Sequence, residues 1–100
     1  MARALELLTI DMFTDKVGQA FVVEEPNVPA TELTLAEVTA LQNYVKAARA
    51  PFSLLFTSRE NAVLPQRIYT LRHADLGPRT FFLVPIAGTK EKVTYQAIFN

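Results

Sequence analysis

The chain has one histidine, His73, and no cysteine. Disulfides, thiolate catalysis and zinc–cysteine sites are therefore excluded. A metal site recruits several His, Cys or carboxylate ligands at defined spacing, and no such set surrounds His73. Strand alternation puts His73 on one face with Tyr69 and Leu71, just ahead of a turn. That suits a packed, hydrogen-bonded histidine. The enzymatic alternative is a base at His73 with Ser53 or Tyr69 beside it. Ser53 and Ser58, however, lie in or next to a strand and lack the glycines of a nucleophile elbow. Glu24, Glu25 and Glu91 stand near turns, where solvation accounts for them. Gly18, Gly77 and Gly88 are too far apart to cradle a phosphate. The expectation is a non-enzymatic protein without catalytic, cofactor-binding or metal-ligating residues.

One hundred residues make one domain, 1–100, able to bury a core without metal or disulfide. Ten basic and ten acidic residues give zero net charge. Nucleic-acid binding needs a basic surplus to displace counterions, so no nucleic-acid partner is expected. Aromatics such as Phe52, Phe56, Tyr69 and Tyr95 then read as core rather than as base-stacking platforms. The charge is uneven along the chain. Residues 1–45 hold seven acids and two bases, a net of −5, and residues 46–100 hold eight bases and three acids, a net of +5. Either the halves interleave and their charges pair, or the surface has an acidic and a basic pole suited to head-to-tail packing. Glu6 and Asp11 interrupt the apolar start, so no signal peptide is expected, and no run is long enough to cross a bilayer. The default location is the cytoplasm, with no membrane partner.

The elements follow from apolar spacing. Ile10, Phe13 and Val17 predict a short helix over Thr9 to Val17, capped by Thr9 or Asp11 and stopped at Gly18. Strands are predicted over 19–25, 31–41, 51–58, 66–73, 80–86 and 92–100. In the second, Thr31, Leu33 and Leu35 share one parity and Val38 and Ala40 the other, which points to a bulge near Ala36–Glu37. A helix over Leu35 to Ala48 is the rival there, because Ala, Leu, Glu, Gln and Lys are good helix formers. Asn43 to Ala50 reads as loop. Turns are expected at 26–29, 59–62, 73–78 and 88–91, and Pro85 implies an edge or a bulge. The fold class is mainly β: a six-stranded antiparallel up-and-down sheet, strongly curved or closed into a small barrel, with one short N-terminal helix.

The strands over 51–58 and 80–86 are apolar on both faces. Leu54 and Val84 are positions where an introduced carboxylate is expected to be buried. A small antiparallel sheet usually leaves one face wet, so something must cover Leu55, Phe82 and Val84. The helix is one candidate, and a partner or second subunit is the other. Leu55, Phe82, Val84 and Ile98 form the candidate interaction patch. The last strand also offers an open edge for pairing.

Several segments together resemble a family of small bacterial proteins catalogued only as a domain of unknown function. They are Pro51-Phe52-Ser53-Leu54-Leu55-Phe56, Leu64-Pro65-Gln66, Tyr69-Thr70-Leu71-Arg72-His73, Leu76-Gly77, Phe82-Leu83-Val84-Pro85-Ile86 and Tyr95-Gln96-Ala97-Ile98-Phe99-Asn100, with the junction Val17-Gly18-Gln19-Ala20-Phe21. The resemblance spans nearly the whole chain, except Leu41 to Ala50. It carries no activity and no functional residue. It implies an accessory role beside phage-tail-like collar or fibre proteins. The function expected is a structural or accessory interaction module with a protein partner or self-association and no cofactor. The alternative is a small-ligand-binding barrel lined by Phe52, Phe56, Tyr69 and Tyr95.

Overall fold

The computed structural model describes residues 8–28, 30–42, 50–59 and 63–99. Six strands run β1 Ala20–Val23, β2 Glu32–Ala40, β3 Phe52–Ser58, β4 Arg67–His73, β5 Gly77–Gly88 and β6 Val93–Phe99. Every pairing is antiparallel, and the strands close into a barrel in the order β1-β2-β3-β6-β5-β4. The fold class is the expected one. The up-and-down order is not. Two three-stranded meanders, β1-β2-β3 and β4-β5-β6, join through non-local pairs, β3 with β6 and β1 with β4. β3 and β4 therefore lie on opposite sides of the barrel, and residues 63–66, which lead into β4, lie at one mouth.

Alternation sends Phe21, Leu33, Leu35, Leu54, Phe56, Leu71, Phe81 and Leu83 inward, each at most 1 % exposed. The parity switch in β2 is a bulge: the register slips between Leu35 and Glu37, so Val38 pairs with Leu54 and faces the core. The helix alternative is overturned for 35–40, which are strand, and its remainder falls largely on 43–49, outside the described residues. The loop expected from Asn43 to Ala50 lies there too, apart from Ala50. Pro85 marks a second bulge, between Pro85 and Ala87.

Both mouths are plugged. At one, the expected helix is a single 3-10 turn, Ile10–Met12, followed by further turns. So short a segment cannot repay helix nucleation, and Thr9, Ile10 and Thr14 are β-branched. Val17 is half exposed rather than buried, while Phe13 alone points fully into the mouth. Its ring lies 5.9 Å from both Phe52 and Phe81 and 6.4 Å from Phe21 and Phe99. Gly18 takes φ +89°, the left-handed conformation that turns the chain into β1. At the other mouth the β3–β4 connection is tied down by two buried tyrosines. Leu64 N–H donates to Tyr95 Oη (2.9 Å), and Tyr69 O–H donates to the Pro65 carbonyl (2.6 Å). Burial raises the Tyr69 phenol above its ordinary pKa.

The expected open edge on the last strand is absent, because β6 lies between β3 and β5. The 12-residue β5 is shared instead. Its residues 77–83 pair with β4, and Val84 to Gly88 pair with β6. The β4–β5 turn is a three-residue hairpin loop, Ala74 to Leu76, with Gly77 at φ +68° opposite His73. So tight a turn starts β5 at Gly77 rather than Thr80.

Candidate functional site

His73 is buried at the end of β4, 3 % exposed, with its ring 4.7 Å from that of Phe21. Its Nδ1 accepts from the backbone N–H of Asp75 (3.0 Å) and of Leu76 (3.3 Å). With two donors aimed at Nδ1, the proton belongs on Nε2, which donates to Gln19 Oε1 at 2.6 Å. The imidazole thus caps the β4–β5 turn and ties it to the start of β1. Ser53 is buried but by alternation lies on the outer side of β3, between Thr39 and Ile98, whereas His73 points inward on β4. Alternation on their strands therefore sends the two side chains to opposite surfaces of the wall. Tyr69 sits at the mouth opposite His73 and is bound to Pro65. Among the described residues no group of three or more His, Cys, Asp or Glu is placed to hold a metal.

The acidic and basic halves of the sequence meet where β1 closes on β4. Only two residue pairs bridge these strands, Val22 with Arg72 and Val23 with Leu71. Side chains extend the contact. Arg72 grips Glu24 through Nε (2.5 Å) and Nη2 (2.9 Å). Glu25 accepts the Thr70 backbone N–H on Oε2 (2.6 Å) and Arg67 on Oε1 (3.2 Å). Its carboxylate takes the place of a ladder carbonyl at the point where β1 has ended. The Arg72 guanidinium holds the Glu24 carboxyl below the usual carboxylate range, first by hydrogen bonding.

All four residues of the expected patch lie on the outer surface. Phe82 and Ile98 are about half exposed, at 47 % and 50 %. Leu55 and Val84 are half-buried. The register brings them together: Leu55 pairs with Gln96 and Gln96 with Val84. Continuing that register sets Ile98 beside Phe82. Residues 8–18 do not cover the patch as a helix would, because they fold over the barrel mouth through Phe13. Ile68, 62 % exposed and paired with Phe82, completes the patch and was not singled out from the sequence. The signal was available, since alternation groups Ile68 with Gln66, Thr70 and Arg72 on the solvent face.

No charge interrupts this wall. The outward side chains of β3 are Ser53, Leu55 and Thr57, those of β6 are Thr94, Gln96 and Ile98, and those of β5 from Thr80 to Val84 are Thr80, Phe82 and Val84. A model of the family described as "Domain of unknown function (DUF6916)" matches residues 8–99. The chain belongs to the DUF6916 family. No curated protein and no solved structure matches it. The matched span of the DUF6916 domain begins with the Leu8 end of the plug and takes in all six strands. It therefore contains the whole uncharged wall.

Proposed function

We propose that this DUF6916 domain is a non-catalytic, accessory interaction module. It docks a protein partner, or a second copy of itself, through the outer wall of β3, β6 and β5. One observation carries the reading: Phe82, Val84 and Ile98 lie side by side on a wall without charged side chains, with Ile68 of β4 beside Phe82 and Leu55 across Gln96 from Val84. Protein interfaces are depleted of charge at their centre, and a sizeable exposed apolar patch on a small domain marks an interaction site. The setting we propose is the cytoplasmic assembly of a phage-tail-like structure, with the module beside collar or fibre proteins and without cofactor, nucleic acid or membrane.

The ligand-binding alternative draws less support. Phe52, Phe56, Tyr69 and Tyr95, which would line its cavity, are each at most 1 % exposed. Their rings pack on neighbours instead, as Phe56 does on Phe81 at 5.7 Å.

The test is an affinity pull-down from the native bacterium with the tag at Met1, because β6 runs to Phe99. The bait is the natural chain or Phe82→Arg. The expected result is specific recovery of assembly proteins by the natural chain and their loss with Phe82→Arg at unchanged melting temperature. A natural chain that is monomeric and recovers nothing would sink the reading.

A further inference from the structure

Some of the barrel's cations pair with a carboxylate. Lys16 contacts Asp15 at 2.7 Å, Arg67 contacts Glu25 at 3.2 Å, and Arg72 contacts Glu24. Among the described residues Arg59, Lys90 and Lys92 make no such pair, and they are neighbours. Arg59 follows β3, and Lys90 and Lys92 lie in the β5–β6 turn. With Thr57 they line one open cleft. Among the described residues none of the three has a carboxylate within ion-pair distance. Glu91 lines the same cleft and Glu32 the adjoining one, so two carboxylates are close by and neither is engaged.

The turn that carries the lysines is held in shape. Thr89 Oγ1 accepts the backbone N–H of Glu91 and of Lys92, each at 3.2 Å, and Thr89 N–H donates to the Lys92 carbonyl at 2.8 Å. The backbone of this turn, with the pairing of Ser58 and Val93, therefore sets Lys90 and Lys92 near Arg59. Three like charges in one cleft repel one another, and an anion relieves that repulsion. The position adds a second constraint. Thr57 belongs to the outward row of β3 that includes Leu55, and Lys92 immediately precedes β6. The cleft thus sits at the end of the uncharged wall, where the charged rim of an interface belongs.

We infer that this cleft is an anchor for acidic side chains, and that the partner of the wall is a protein segment whose apolar residues are followed by a cluster of Asp or Glu. The inference rests on the interaction reading above and names the chemistry of the partner. Arginine offers paired N–H donors to a carboxylate, and the two ammonium groups add charge without fixed geometry.

The test uses the whole chain, isotope-labelled, with a hexaglutamate peptide as the probe and amide chemical shifts as the readout. At low salt the peptide should give saturable shifts at Thr57, Arg59 and Lys90 to Lys92. Affinity should fall at least about tenfold when ionic strength rises from roughly 0.02 to 0.3 M. The double variant Arg59→Ala/Lys92→Ala should lose the shifts while its melting temperature is kept, since both side chains are exposed. Shifts that persist unchanged in the double variant, or that are absent from the natural chain, would overturn the inference. So would a DNA duplex that binds the same residues more tightly than the peptide, because the anchor would then suit a phosphate backbone. The wall plays no part in this titration. A negative result here combined with a positive pull-down would remove the acidic anchor and leave the interaction module standing.

Discussion

Across β4, β1 and β2 the outer surface is charged, and Arg72 on Glu24 and Arg67 on Glu25 neutralise part of it from within. Across β3, β6 and β5 it carries hydroxyls, one amide and apolar groups. The chain's zero net charge conceals this division. On the charged side the ion pairs have a structural task, because the β1–β4 ladder is two residue pairs and one further backbone hydrogen bond long, and side chains extend it. On the uncharged side the ladders are longer, with seven pairs between β3 and β6, so the outward residues are free of that task. Where backbone pairing is complete, the outer side chains can serve something other than the fold.

The sharpest way to break the comparison is at Leu54 and Val84, on the inner and outer surfaces of the uncharged wall. Leu54 is fully buried, and a carboxylate there has no partner. Leu54→Asp should cost on the order of 5 kcal/mol or more, enough to unfold a domain of ordinary stability. From the sequence Val84→Asp carries the same expectation, and the structure corrects it. Val84 is half-buried on the outside, so the change should cost about 1 kcal/mol or less. Denaturant titration of both variants checks this, and equal destabilisation would mean that the outer wall is covered.

Phe13→Ala removes the plug whose ring touches both meanders. A loss of about 3–5 kcal/mol is expected, as for other buried aromatic truncations. Amide exchange should rise first in the terminal residues of β3 and β6, where Phe52 and Phe99 stack at 4.6 Å. Uniform exchange would show that the plug supports the whole barrel rather than one mouth.

Glu25→Ala sharpens the account of the charged side. It strands the Thr70 N–H, which a carboxylate oxygen now meets at 2.6 Å, at the edge of a short ladder. Leaving such a donor unsatisfied costs roughly 1–3 kcal/mol. Glu25→Gln keeps an acceptor and should recover much of that loss. If Gln and Ala cost the same, the ion pair with Arg67 matters more than the backbone hydrogen bond.

What was legible in the sequence follows the same division between local and distant causes. Alternation alone separates Leu54 from Leu55 and Phe81 from Phe82, and the parity switch around Ala36 reveals the bulge. The four patch residues come from the same rule. The strand order was not legible, because the pairing of β3 with β6 and of β1 with β4 is decided by closure of the whole sheet, and neither pair adjoins in sequence. Ile10, Phe13 and Val17 have helical spacing, yet only Phe13 is needed to fill the mouth, and a turn supplies it. The cleft of Arg59, Lys90 and Lys92 was hidden for the same reason as the strand order, since its members are some 30 residues apart until β3 and β6 pair.

The smallest expected effect concerns Glu24 and Arg72, both on the surface. The carboxyl of Glu24 is depressed below its ordinary value by Arg72 in the folded state. The pair's contribution to stability is therefore fully present above the ordinary glutamate range, near about 4.3. It is lost as pH falls through the depressed folded value. Arg72→Gln should lower the melting temperature slightly at neutral pH, and the gap from the natural chain should narrow steadily below about pH 4. A gap of constant width across that range would mean that Arg72 acts by the packing of its stem between β1 and β5. The closure of β1 on β4 would then rest on Glu25, the two bridged pairs and the backbone hydrogen bond from Glu24 N–H to the Thr70 carbonyl.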